Sequence, residues 1–241
     1  MAKERLDKLI ASTGRWSRRE VKTLVREGRV LVDGRIAGSA EEKYDAESCR
    51  IAVNGEELLL RRHTYVMLHK PAGVLSATED GRGRTVLDLL TPELRKIGVF
   101  PVGRLDKDTE GLLLLTDDGE LAHTLLSPKK HVDKVYYARV SGRLTPEDCA
   151  AFEAGMTLGD GLECLPAGLE ILAAGETSEC LVTLREGKFH QVKRMLAARG
   201  KPVTYLKRLS MGSLRLDDTL APGEFRLLTA AEEAVSYTHL T

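Results

Sequence analysis

The 241-residue sequence predicts an α+β fold in two parts: a small helix–hairpin module over residues 1–60, and a larger domain over 61–235 with a mixed, mainly antiparallel sheet flanked by helices. Three observations predict it. Short extended runs dominate after residue 64, spaced too irregularly for the alternation of a doubly wound fold. Helical periodicity surfaces only in short stretches. The apolar fraction of 42% is enough for a core, yet apolar runs stop at about four residues (Leu112–Leu115), far below the ~20 that cross a bilayer.

In the first part, Leu6, Leu9 and Ile10 share one face of a short helix ended by Gly14. Ser17-Arg18-Arg19-Glu20 is a capping-box sequence, and the helix it starts carries Val21, Leu24 and Val25 on one side before Gly28 stops it. Arg18, Lys22, Arg26 and Arg29 recur every three or four residues and are expected to form one basic stripe on the opposite side. Asp33-Gly34 between Val30-Leu31-Val32 and Arg35-Ile36 is a hairpin signal, and Arg50 to Glu56 supplies a second strand and turn. Arg61-Arg62-His63 reads as a polar junction.

In the second part, strands are expected at Tyr65–His69, Gly98–Val102, Gly111–Thr116, Lys134–Val140 and Ser178–Leu184. One helix follows Asp117-Asp118-Gly119 and is stopped by Ser127-Pro128. Another carries Val192, Met195, Leu196 and Arg199 and is stopped by Gly200 and Pro202. Residues 236–241 break the pattern before them and are expected to be a non-native tail.

The net charge is zero, but the charges are segregated. Residues 1–35 hold ten Lys/Arg against five acids, and 184–208 hold eight against Glu186 alone. Residues 144–180 hold eight acids and no Lys or Arg, a segment expected to be solvated surface. Two basic footprints offset by distant acids let a polyanion binder look neutral. The cysteines (49, 149, 164, 180) form no Cys-x-x-Cys pair, which argues against zinc and disulfides and for a reducing cytoplasm. No apolar stretch follows the charged N-terminal residues, so neither a signal peptide nor a membrane anchor is expected.

The densest chemistry lies in Gly103-Arg104-Leu105-Asp106-Lys107-Asp108-Thr109-Glu110-Gly111, followed by four leucines. Asp106, Asp108 and Glu110 fit the first, third and fifth positions of a calcium loop. Its last position would then be Asp117 where a bidentate Glu is required, and the flanks are strand-like rather than helical. The alternative is a carboxylate packed beside an apolar strand, its ionised form favoured by Arg104 and Lys107, which suits a nucleophile or base.

Read whole, the segment from Gly103 to Leu113 resembles the signature of the RNA pseudouridine synthases that carry an Arg-Leu-Asp motif. Leu68-His69-Lys70-Pro71-Ala72-Gly73 resembles their Asn-Lys-Pro-x-Gly turn, with His69 in place of Asn, and Glu186 to Leu196 resembles their last motif. The first 60 residues, with their basic second helix and Val-Asp-Gly hairpin, are similar to the S4 RNA-binding module. The wording Lys188-Phe189-His190-Gln191-Val192-Lys193-Arg194, with Leu220 to Thr229, is most like the small-subunit (16S) ribosomal RNA enzymes.

The resemblance implies an isomerase that breaks the N1–C1′ bond of a uridine and joins C5 to C1′, with no cofactor and no metal. It implies Asp106 as the catalytic aspartate, Tyr136 as the tyrosine stacking on the target base and Lys193 as the basic partner of Asp106. Tyr137 points to the other face of its strand, so only one of the pair lines the cleft. Arg104 is expected to help displace the target nucleotide from its stack. Arg18, Arg19, Lys22, Arg26, Arg29, Lys188, His190 and Arg194 are expected RNA contacts. The partner would be ribosomal RNA, free or in an assembly intermediate, and the protein a monomer.

Overall fold

The computed structural model describes residues 3–237 apart from 47, 59, 61, 82, 128 and 129. Arg61 of the polar junction and Pro128 of the predicted helix stop lie outside the described residues, as do 238–241 of the expected tail; a final helix continues to Tyr237. The chain divides into two compact units, one of residues 1–64 with 90–99, the other of 65–89 with 100–241.

The first unit contains β1 (Glu4–Arg5), α1 (Leu6–Ala11), α2 (Arg18–Arg26), β2 (Val30–Val32), β3 (Arg35–Ile36), β4 (Lys43–Tyr44), β5 (Ile51–Val53), β6 (Glu56–Glu57) and α3 (Pro92–Ile97). The Ser17–Glu20 capping box forms at the start of α2. Asp33-Gly34 and Asn54-Gly55 all have positive φ, as two-residue hairpin turns require, and order the small sheet β3-β2-β5-β6. Leu6, Leu9 and Ile10 pack with Val21, Leu24 and Val25 against Val30, Val32, Ile51 and Val53. Helix α3 is distant in sequence but joins this unit through Gly14, where a Cβ would lie 2.3 Å from the Glu93 carbonyl oxygen. Only a glycine permits that approach.

The second unit contains β7 (Tyr65–Lys70), a 3₁₀ turn (Val86–Leu89), β8 (Phe100–Pro101), β9 (Glu110–Thr116), α4 (Gly119–Leu126), β10 (Lys134–Ser141), α5 (Pro146–Ala154), β11 (Met156–Thr157), β12 (Glu163–Cys164), β13 (Gly168–Ala173), β14 (Thr177–Leu184), α6 (Gln191–Ala198), β15 (Val203–Met211), β16 (Leu214–Arg215), β17 (Phe225–Leu227) and α7 (Ala230–Tyr237). The sheet runs β13-β14-β10-β15-β9-β7-β17, with β15–β9 parallel and the other pairs along it antiparallel. The α+β class with a mixed sheet therefore stands. The four leucines of β9 are buried on both faces because this strand lies inside the sheet.

Three stretches differ from expectation. The run Gly98–Val102 is extended only at Phe100–Pro101, because Gly98 caps α3 in the left-handed region. Helix α5 lacks a clean apolar stripe and buries only Phe152 and Asp148. Strand β15 interrupts its alternation with a bulge and carries Lys207-Arg208, which in sequence resembles solvated basic surface.

Candidate active site

The loop Arg104–Thr109, just before β9, is held from below by the turn that follows β7. Lys70 is fully buried, and its Nζ donates to the carbonyls of Pro71 (2.9 Å), Thr109 (2.9 Å) and Lys107 (3.3 Å). The Gly73 amide donates to the same Lys107 carbonyl, and Ser76 exchanges two hydrogen bonds with the backbone of Leu105. Within the loop, the Thr109 amide closes onto the Asp106 carbonyl. Two segments some thirty residues apart thus fix the backbone on either side of Asp106. Burial pushes the Lys70 ammonium down to about 8, against the pull of Asp108 and Asp106.

Asp106 faces Lys193 from the first turn of α6, with Nζ 2.9 Å from Oδ2; the same ammonium lies 2.6 Å from Asp108 Oδ1. Burial opposes the Lys193 charge, but hydrogen bonds to Asp108 and Asp106 outweigh it and hold the ammonium above its ordinary range. Lys193 in turn holds the Asp108 carboxyl below its ordinary value. The partner of Asp106 is therefore Lys193 rather than the exposed Arg104 and Lys107 beside it in sequence. Glu110 accepts instead from the Tyr205 hydroxyl at 2.8 Å. The three acids of the calcium-like spacing do not converge.

Tyr136 on β10 is buried and lines, with Asp106 and Arg104, both a cavity of about 960 Å³ and a smaller one of about 70 Å³. Tyr137 lies on the opposite face, edge-on to Tyr205. A bulge at Leu209 sets Tyr136 opposite Arg208, where regular pairing would set it opposite Leu209. His190 caps α6 in the left-handed region (φ 51°), its Nε2 3.5 Å from Asp106 Oδ1 and its ring stacked on the exposed Phe189 at 3.8 Å.

The predicted RNA contacts divide. Arg104 lines the larger cavity with no ion-pair partner among the described residues. Lys188 instead pairs with Glu186 and donates to the Glu163 carbonyl, and Arg194 pairs with Asp160. With Arg199 on the buried Asp148, this corrects the reading of 144–180 as merely solvated: two of its acids neutralise α6, which the fold brings alongside. In the first unit, Arg18, Arg19, Lys22 and Arg26 are exposed along α2, but Arg18 donates to the fully buried Asp7. Arg29 lies beyond the helix end, bonded to Asn54 and Glu27, and so is not part of the helical stripe.

Sequence reasoning missed Lys134, Arg208 and the positioning role of Lys70. Arg208 belongs to the basic stretch 184–208 and Lys134 opens an expected strand; only the pairing of β10 with β15 turns both into the cavity. Among the described residues, no cluster of three or more His, Cys, Asp or Glu side chains is placed to hold a metal ion, and no helix is long and apolar enough to cross a membrane.

A family profile described as RNA pseudouridylate synthase matches residues 64–198, and an S4 domain profile matches residues 4–48. The chain is 50% identical to an uncharacterized RNA pseudouridine synthase, YtzG, of Bacillus subtilis (strain 168), over 95% of this chain and 96% of that one. It is 40% identical to ribosomal small subunit pseudouridine synthase A of Vibrio cholerae serotype O1, over 95% and 98%. It is also 39% identical to ribosomal large subunit pseudouridine synthase B of Bacillus subtilis, over 95% and 93%. A crystal structure of a pseudouridylate synthase superposes with a TM-score of 0.68 at 35% identity, covering 97% of this chain and 99% of that one. With its Asp106-centred cleft and its S4 domain, the chain belongs to the RNA pseudouridine synthase family.

Proposed function

We propose that this pseudouridine synthase isomerises a uridine of small-subunit ribosomal RNA in the cytoplasm, with Asp106 as nucleophile or base. One observation carries the catalytic part of the reading: a carboxylate held 2.9 Å from a partly buried ammonium, at the edge of a cavity lined by Tyr136. The reaction breaks N1–C1′, turns the uracil and joins C5 to C1′; the C5 proton goes to solvent and N1 regains a proton. Lys193 holds the Asp106 carboxylate in place through their ion pair, and Tyr136 offers a flat face to the detached ring. Arg104 and the exposed Phe189, stacked on His190, contact the RNA left behind when the target base leaves its stack.

The small-subunit assignment is supported by the residues of the last motif and by the Vibrio cholerae relative. The large-subunit relative at nearly equal identity supplies the competing reading. Tritium release from RNA labelled at uracil C5 decides between them, with wild type and Asp106→Asn each given small- and large-subunit RNA separately. Release from small-subunit RNA by wild type alone is expected. Release only from large-subunit RNA overturns the assignment, and full activity of Asp106→Asn overturns the role of the aspartate.

A further inference from the structure

Two buried cations in this cleft take no part in the chemistry above. Arg208 is 2% exposed; its Nε donates to the Leu112 carbonyl at 2.8 Å, and its Nη2 has no hydrogen-bond partner. Lys134 is 7% exposed and spends one donor on the Val132 carbonyl at 2.9 Å. Among the described residues neither makes an ion pair. Both line the larger cavity with Asp106 and Tyr136, and both lie on the sheet face of Tyr136: Lys134 two residues before it, Arg208 directly opposite across the bulge.

Charges withdrawn from water without a counter-ion are costly, and two of like sign side by side are more so. The strain registers on Lys134, whose ammonium is pushed below its ordinary range by burial first and by Arg208 second, with only Asp133 opposing. Asp133 itself is engaged by Arg185. An anion bound beside them would match both charges.

We propose that Lys134 and Arg208 form a phosphate subsite inside the cleft, which receives the backbone phosphate of the target nucleotide. The proposal rests on the reading of this cleft as the uridine site. A phosphodiester is favoured over the departing uracil because its charge is permanent, whereas uracil is anionic only in passing and would leave both cations unmatched in the bound ground state. A guanidinium with an open Nη2 next to an ammonium is a donor set suited to phosphate oxygens. Holding the nucleotide by its phosphate fixes the ribose relative to Asp106 before any bond breaks.

The test compares uridine 3′,5′-bisphosphate with uridine as probes, binding each by calorimetry to wild type, Lys134→Met and Arg208→Met. Lys134→Gln keeps a donor for the Val132 carbonyl and preserves the test if Lys134→Met does not fold. Wild type is expected to prefer the bisphosphate, and each variant to lose about tenfold in affinity for it, equivalent to about 1.4 kcal/mol, with uridine unchanged. Equal affinity of wild type for the two probes overturns the proposal, as does an equal loss of both in the variants. Variants that bind the bisphosphate like wild type but release tritium slowly would assign the pair to the uracil anion and also overturn it. Failure of the cleft reading looks different: Asp106→Asn would retain tritium release while phosphate binding still depended on Lys134 and Arg208.

Discussion

The Lys193 ammonium stands 2.9 Å from the Asp106 carboxylate, although 87 positions separate the two in the chain. Strand β9 ends its preceding loop, and α6 begins its first turn, at the same point. Since Asp106 is a quarter exposed, this ion pair acts chiefly on reactivity and contributes little to stability. Lys193→Met is expected to slow single-turnover tritium release by about 10²–10³-fold with RNA affinity nearly unchanged. An unchanged rate would remove Lys193 from the mechanism.

Asp108 shares the same ammonium but is 74% exposed. Asp108→Asn is expected to cost less than about tenfold in kcat, because Lys193 keeps Asp106 as its partner. Steady-state kinetics beside Asp106→Asn checks the ranking, and equal losses would refute it.

Lys70 satisfies three carbonyls beneath the catalytic loop. Lys70→Met is expected to destabilise the fold by about 2–4 kcal/mol, read by urea unfolding, and to lower kcat with it. Its ammonium sits near 8 in the fold against 10.5 when free. Below pH 8 both states hold the proton; between 8 and 10.5 the unfolded chain holds more. The Lys70 contribution to stability therefore rises with pH across that window, and is absent in Lys70→Met.

Gly111 has φ +105°, and a Cβ there would lie 2.2 Å from the Arg208 carbonyl oxygen and 2.6 Å from its amide nitrogen. Gly111→Ala is expected to force β9 from β15 and to cost about 3 kcal/mol in denaturant unfolding. A loss below about 1 kcal/mol would show that the parallel pair yields easily.

Neighbouring arginines of α2 should behave differently. Arg18→Ala strips a partner from the buried Asp7 and is expected to lower the melting temperature. Arg19→Ala and Arg26→Ala are expected to leave it unchanged while each reduces the slope of log affinity against log salt by about 0.7–0.9 in RNA binding. A melting loss common to all three would assign the stripe to structure instead.

Much of this was legible in the residues. The capping box, the two Asx-Gly turns and the leucine strand encode local geometry, because caps, positive φ and apolar runs act over a few residues. Motifs single out Asp106, Tyr136 and Lys193 in the sequence, whereas Arg208 and Lys134 fall outside those motifs and reach the cavity only once strands are paired.

The sequence by itself determined the α+β class, the helix caps and hairpin turns, and which residue types carry chemistry. Tertiary structure alone decided that acids at 148 and 160 quiet the basic helix and that a bulge turns Arg208 inward. The physical reason is range. Hydrogen-bonded turns and caps close within a few residues, but an ion pair or a burial depends on which distant strand lies alongside, and register sets that only once the sheet has formed.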